Sequence, residues 1–424
     1  MSDAPTTPAQ APLRLEFIDA LRGLAVIFMI HWHTADGWIS PELRETPWWS
    51  PVRSIGGWAA PLFFFVTGVA VYLMDEVSRR KGLSPAQVLW AGLSRGAELI
   101  LLGYVLRFQM WATDRKVLWM PVAWPGILCI VAAFVAGFFG LRYLKRVRKP
   151  AGVLLPLAAV LFATGAVLEG RLKPDWQREL LRLDVLQGLG LSILLVAGAR
   201  HLFPVVRRPL GCMLIGFGIA LLSQPVSNLL PGFLPEGIAA YVGSWELPKG
   251  VRAISLFPIF PWGGYAFVGC GVITLWQDLA LRGKGRAAVI FALVGAPLTL
   301  ITTEGFQFTY KLIKAAPFVP KPLRLLNKTG VLLVQWGAAA VFTPERASRV
   351  TPLRTLGKAS LMIYWVHLPL AFGRPAKPFR NALGWGEWAV GLLLLTTAMY
   401  FLSLLWLGPV RARLRGKRAP SAAA

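Results

Sequence analysis

Acidic side chains are scarce in this chain: 20 Asp and Glu stand against 45 Lys and Arg, for a net charge of +25. Cysteine and histidine are scarcer still, at three and four residues. Cys129, Cys212 and Cys270 lie inside apolar runs, with no CxxC and no metal-ligand spacing. Small buried thiols are the expected reading, and no metal site is expected. No P-loop, GxSxG, HExxH or dinucleotide fingerprint occurs, which removes the common nucleotide, serine-hydrolase and zinc-protease classes. There is no internal repeat, and no long polar linker divides the chain. One domain is therefore expected over residues 14–410. Residues 1–13 are polar and rich in Pro and Ala, so they are expected to be a disordered cytoplasmic N-terminus, not a cleavable signal. Residues 411–424 are expected to form a basic cytoplasmic tail.

What the chain has in abundance is apolar sequence. Of its 424 residues 55% are hydrophobic, and the mean hydropathy is +0.56. Apolar runs of about 20 residues recur along its whole length, as in membrane-spanning helices. The alternating segments of about 10 residues that a transmembrane barrel needs are not seen. The expected fold is an all-α polytopic bundle of about 10–12 helices. The candidate spans lie near 17–34, 57–74, 86–106, 118–140, 152–168, 184–200, 209–229, 253–276, 287–303, 329–343, 355–372 and 388–408. The surplus bases cluster between these runs, for example at 142–149 and 411–418. Topology and contact with anionic lipid account for them, and nucleic acid is not an expected partner. The modest charge bias puts both termini in the cytoplasm. A bacterial inner membrane is the expected location. The segment 304–328 dissents, with several bases on the opposite side.

The first apolar run, RLEFIDALRGLAVIFMIHWHTADGW at 14–38, is unusual because it holds ionisable groups. Such groups are costly at membrane depth and usually face a bundle interior or a wet cavity. At about 100° per residue, Arg22 and His33 fall within roughly 20° of each other, with Asp19 and Asp36 about 60° to either side. Arg22 and His33 are separated by roughly 16 Å along the axis. One stripe thus has an ionic end (Asp19, Arg22) and an imidazole–carboxylate end (His33, Asp36). His31 points about 200° away from His33. An internal network that merely locks helix packing is the bland alternative.

Other features of the chain also stand out, several of them at the membrane level of His33. The loop 35–56 is rich in Trp and Pro. Its aromatics, Trp38 among them, suit a membrane interface or an aromatic wall for a sugar ring. Asp184 and Gln187 open the sixth span three residues apart. Asp184 suits a helix cap, while Gln187 lies deeper. Pro258, Pro261 and Gly263–Gly264 flank Trp262 and should break the eighth span near that level. His367 is buried in an apolar span, three residues after Tyr364. Arg95 and Glu98 should pair on one helix face.

Five blocks carry a resemblance: RLEFIDALRGLAVIFMI at 14–30, APLFFFVTGVAV at 60–71, DVLQGLGLS at 184–192, FPIFPWGGYAFVGCGV at 257–272 and LGKASLMIYWVHLPL at 356–370. Together, and in this order, they resemble the heparan-α-glucosaminide N-acetyltransferase catalytic-domain family of membrane acyltransferases. The resemblance implies transfer of an acetyl group from cytosolic acetyl-CoA to an acceptor across the membrane. It also implies a catalytic histidine after the first span, against which His33 is set. It leaves open whether the acceptor is an amine or a hydroxyl of a sugar or glycoconjugate. On this reading His33 and Asp36 are the catalytic candidates, and Arg22 with Asp19 would face the CoA phosphates. His31, Trp38, Asp184, Gln187, Trp262 and His367 are candidates for the acceptor side. A histidine nucleophile carrying the acyl group is the variant mechanism. A transporter or flippase for an anionic lipid or sugar is the alternative from a different class, although no inverted repeat favours it. A homodimer is compatible with the sequence, which does not fix the oligomeric state.

Overall fold

The computed structural model describes residues 15–114, 124–144, 151–172, 182–234, 236–243, 255–312, 321–343 and 351–410. The expectations for residues 1–13, for the basic segment 145–149 and for the tail 411–424 lie outside these. The described residues are almost wholly helical and contain no strand, only two isolated bridges. The chain is an all-α polytopic bundle.

The helices are α1 (Glu16–Trp38), α2 (Trp49–Gly56), α3 (Ala59–Arg80), α4 (Pro85–Asp114), α5 (Trp124–Leu144), α6 (Ala151–Leu172) and α7 (Val185–Leu202). They continue as α8 (Pro209–Phe233), α9 (Glu236–Val242), α10 (Ile259–Ala280), α11 (Lys284–Leu312), α12 (Lys321–Phe342), α13 (Pro352–Lys358), α14 (Ser360–Phe372) and α15 (Trp385–Leu405). Eight helical stretches among the described residues are long and apolar enough to cross a membrane. Shorter apolar helices occur at Pro125–Leu141, Val153–Gly165 and Ser360–Phe372. With α1, these coincide with the twelve expected spans, and the chain is a multi-pass membrane protein. Several boundaries differ from expectation: α3 runs on to Arg80, α4 to Asp114 and α11 to Leu312, α10 begins at Ile259, and α12 begins at Lys321. Asn327 explains part of this. Its amide donates to the Thr299 carbonyl, Thr302 Oγ1 and Thr303 Oγ1 of α11 at 2.9–3.2 Å. The polar first turns of α12 are thereby held helical against α11.

Helix packing in lipid depends on small residues that let backbones approach, since lipid tails compete for apolar contacts. Two crossings use this. A Cβ on Gly23 would overlap the Leu353 carbonyl, and one on Gly357 the Asp19 carbonyl, so α1 and α13 touch backbone to backbone. Gly68 and Gly269 do the same for α3 and α10. At the centre Trp336 is fully buried. Its ring meets Phe17 at 5.0 Å, Phe65 at 5.8 Å, Trp276 at 5.7 Å and Phe291 at 6.1 Å. One indole thus joins α1, α3, α10, α11 and α12.

Pro61 and Pro258 mark helix starts, whereas Pro156, Pro297 and Pro369 lie inside helices. Pro61 stands in the first turn of α3, where a missing N–H costs no hydrogen bond. Pro258 caps α10, and Phe260 just inside it has non-helical φ/ψ of −94° and 112°. The expected break is therefore an irregular first turn.

Candidate functional site

The ionic stripe of α1 faces the bundle interior. Val26 and Ile30 are fully buried, and Asp19 is 7% exposed. Asp19 pairs with Arg22 at 3.6 Å. Arg22 lines a partly open cavity of about 1090 Å³ between α1, α3, α4, α7, α13 and α14. Arg95 and Lys358 also line it, and Arg95 donates to Glu98 at 3.2 Å. The three cationic residues lie toward the end where α1 begins. Apolar side chains such as Val66, Leu99, Leu186 and Ile193 make most of the wall. Tyr364 and Val185 line it toward the opposite end.

Behind Tyr364 lies His367, fully buried and one turn further along α14. Its Nε2 is 2.7 Å from Nδ1 of His33. The two ring planes differ by only 12° with centroids 5.0 Å apart, so the rings meet edge to edge. The Phe372 ring lies against His33 at 5.4 Å. His367 Nδ1 is 2.8 Å from the Ile363 carbonyl oxygen. The Tyr364 ring packs on His367 at 5.8 Å, and its hydroxyl donates to Asp184 Oδ1 at 3.2 Å. Asp184 also accepts from the Val185 N–H at 2.8 Å and lies 3.7 Å from Arg107. A polar chain thus runs from Arg107 through Asp184 to the Tyr364 hydroxyl, and the Tyr364 ring packs edge-on against His367. Neither histidine lines the cavity; Tyr364 is the side chain they share with it.

Asp184 is the N-cap of α7, as its place at the helix start suggests. Gln187 completes a capping box, its Oε1 accepting from the Asp184 N–H at 3.2 Å. Its Nε2 is buried with no hydrogen-bond partner among the described residues.

The remaining candidates are dispersed. Asp36 is exposed. Its backbone carbonyl accepts from Arg44 at 2.8 Å, and no hydrogen bond or ion pair among the described residues joins its carboxylate to His33. His31 turns to α15, where its ring meets Trp388 edge-on at 5.3 Å. Trp38 is buried, its indole N–H donating to the Ala371 carbonyl at 3.0 Å. Trp262 packs among Phe64, Phe257 and Tyr265 at 4.9–5.8 Å. The structure therefore joins His33, His367, Asp184 and Gln187 into one neighbourhood, with Arg22 and Asp19 at the far end of the adjoining cavity. Lys358 and Arg107 are additions that spacing along one helix does not reveal, whereas the Ile363 carbonyl lies one turn before His367 on α14. Among the described residues, no group of three or more His, Cys, Asp or Glu is placed to hold a metal ion.

A multi-pass helical bundle with an internal cavity, cationic toward one end and backed by a histidine pair toward the other, is a suitable frame for group transfer within a membrane. The family is more specific. The model described as "Heparan-alpha-glucosaminide N-acetyltransferase, catalytic" matches residues 14–301, and the chain belongs to that family. Its members are membrane acyltransferases, and the match covers α1 to most of α11. No curated protein matches the chain in direct sequence comparison.

Proposed function

We propose that the protein transfers an acetyl group from cytosolic acetyl-CoA to an amine or hydroxyl of a sugar or glycoconjugate presented from the far side of the membrane. The observation that carries this reading is the His33–His367 pair standing behind Tyr364 at one end of a cavity lined toward its other end by Arg22, Arg95 and Lys358. Cationic side chains at that end suit CoA phosphates, with Asp19 orienting Arg22. The apolar walls suit the chain that carries the thioester, and exclude water from it. On this reading both termini face the cytoplasm, of a bacterial inner membrane.

His33 serves as general base. It takes the proton from the acceptor X–H as X attacks the thioester carbonyl carbon. When the C–S bond breaks, the proton passes from His33 to the thiolate, which leaves as free CoA, and His33 is neutral again. Gln187, whose buried amide nitrogen has no hydrogen-bond partner among the described residues, is the candidate donor to the oxyanion.

The test is release of free thiol from acetyl-CoA by the purified protein in the presence of amino sugars or hydroxyl sugars. Acceptor-dependent release that is lost in His33→Ala is expected. Normal turnover by His33→Ala would remove His33 from the chemistry. Movement of sugar across liposomes without an acyl donor would favour a transporter instead.

A further inference from the structure

We infer that His367 locks His33 into a single tautomer, with the proton on Nδ1 and the lone pair on Nε2. The role assigned to that lone pair rests on the acyltransferase reading; the lock itself does not.

The argument starts from the Ile363 carbonyl. A carbonyl oxygen only accepts, so its 2.8 Å contact with His367 Nδ1 requires the proton on that nitrogen. A neutral imidazole carries one proton, which leaves His367 Nε2 as an acceptor. The 2.7 Å contact with His33 Nδ1 then requires His33 to be the donor. Near-coplanar rings, 12° apart, point the N–H along the ring edge at the lone pair. His33 Nε2 is the nitrogen left to accept a proton from outside the pair. An isolated imidazole has no such fixed choice.

In serine-hydrolase triads a carboxylate fixes the base's tautomer. Here a second imidazole, itself anchored on a helix carbonyl, takes that place. His367 is thus a positioning residue and does not touch the reacting atoms. When His33 Nε2 gains a proton, the Nδ1–H to His367 contact becomes charge-assisted and holds the imidazolium in place. The Nδ1 proton never needs to leave.

The experiment uses full-length protein in lipid nanodiscs with ¹⁵N-labelled histidine. Only four histidines are present, so His33 is assigned by comparison with His33→Gln. The expected spectrum has His33 with a protonated Nδ1 and a bare Nε2. His367→Gln keeps an acceptor oxygen and should keep this signature; His367→Met fills similar space without one and should lose it. A protonated Nε2 on wild-type His33, or the same His33 signature in His367→Met as in wild type, would overturn the lock. In turnover, His367→Met should lose on the order of 10²-fold in kcat with little change in KM, and His367→Gln should rescue most of it. A side chain needed only for packing would give the reverse order, Met above Gln. Should the nitrogen signals show the lock in a protein that releases no thiol, the lock stands and the transferase reading falls.

Discussion

The bundle has a buried polar cluster toward each end, and the two are built in opposite ways. Where α3 and α7 finish, Arg200 donates to Asp75 Oδ2 at 2.7 and 3.1 Å, and Arg79 donates to Asp75 Oδ1 at 2.9 Å. The Arg200 guanidinium also lies over the Tyr72 ring at 4.9 Å, and the Tyr72 hydroxyl donates to Gln277 at 2.6 Å. Charge meets opposite charge there. At the other end His33, His367, Tyr364 and Asp184 are joined mainly through neutral rings and a hydroxyl. Both ends keep a buried polar atom without a partner among the described residues, Gln277 Nε2 at the first and Gln187 Nε2 at the second, so the difference lies in charge. Matched, buried ion pairs hold helices together and strand a charge when one partner is lost. Neutral groups strand less and are free to exchange a proton. On the acyltransferase reading, fold maintenance falls to the first cluster and chemistry to the second.

The sharpest way to break that contrast is to exchange the effects of mutation. His33→Ala should lower acyl transfer by roughly 10²–10⁴-fold, the range a general base contributes. Thermal melting should fall modestly, because the atom left without a donor is the neutral, buried His367 Nε2, a loss of about 1–3 kcal/mol. Arg200→Met should do the opposite. It leaves Asp75, a carboxylate only 8% exposed, with Arg79 as its ion-pair partner. Breaking a buried pair in this way costs about 3–5 kcal/mol. A large fall in melting temperature with unchanged kcat per folded molecule is expected. Asp75→Leu with Arg200→Met should recover much of the loss, since an apolar replacement of both charges leaves nothing stranded. Equal loss of kcat from Arg200→Met would erase the distinction between the ends.

Much of the architecture is legible before any coordinates are seen, because membrane spans are set by local composition. The twelve runs coincide with helices, Asp184 caps α7, and Arg95 meets Glu98 three residues on. These are local relations. The stripe on α1 is local too, and helical periodicity correctly turns it inward at Asp19, Arg22, Val26 and Ile30. Periodicity does not say which helix arrives opposite the stripe. His33 and His367 are 334 positions apart, and only the packing of α14 on α1 brings them together. The scarcity of histidine was the available hint, with three of the four placed inside apolar runs. Gln187 illustrates the converse. Its depth suggests a task other than capping, yet its oxygen completes the Asp184 capping box while its nitrogen stays unpartnered.

A finer probe asks how far the active end extends. Tyr364→Phe removes the hydroxyl that donates to Asp184 at 3.2 Å but keeps the ring on His367. A hydrogen bond of this kind contributes about 1 kcal/mol, so a change of roughly fivefold in kcat is expected. A loss as large as that of His33→Ala would place Tyr364 among the reacting groups instead of beside them.

The smallest effect is expected at Asp36, and it decides which partner the base uses. One helical turn from His33, a carboxylate is the obvious orienting group, as in a triad. In the packed structure His367 stands 2.7 Å from His33, and the inferred lock gives that place to it. Asp36 is exposed, and Arg44, which grips the Asp36 carbonyl, also binds the Ile39 carbonyl and Asn381 Oδ1 at 2.7–3.3 Å. The arginine thus fastens the end of α1 to the segment before α15 through backbone and amide oxygens, leaving the Asp36 carboxylate dispensable. Asp36→Asn should therefore hold kcat within about twofold, because an exposed charge near a screened site contributes little. Arg44→Met should instead lower the melting temperature by freeing the α1 terminus. A drop of 10²-fold in kcat for Asp36→Asn, with His367→Met near normal, would return the orienting role to the carboxylate and unmake the histidine pair as the working unit.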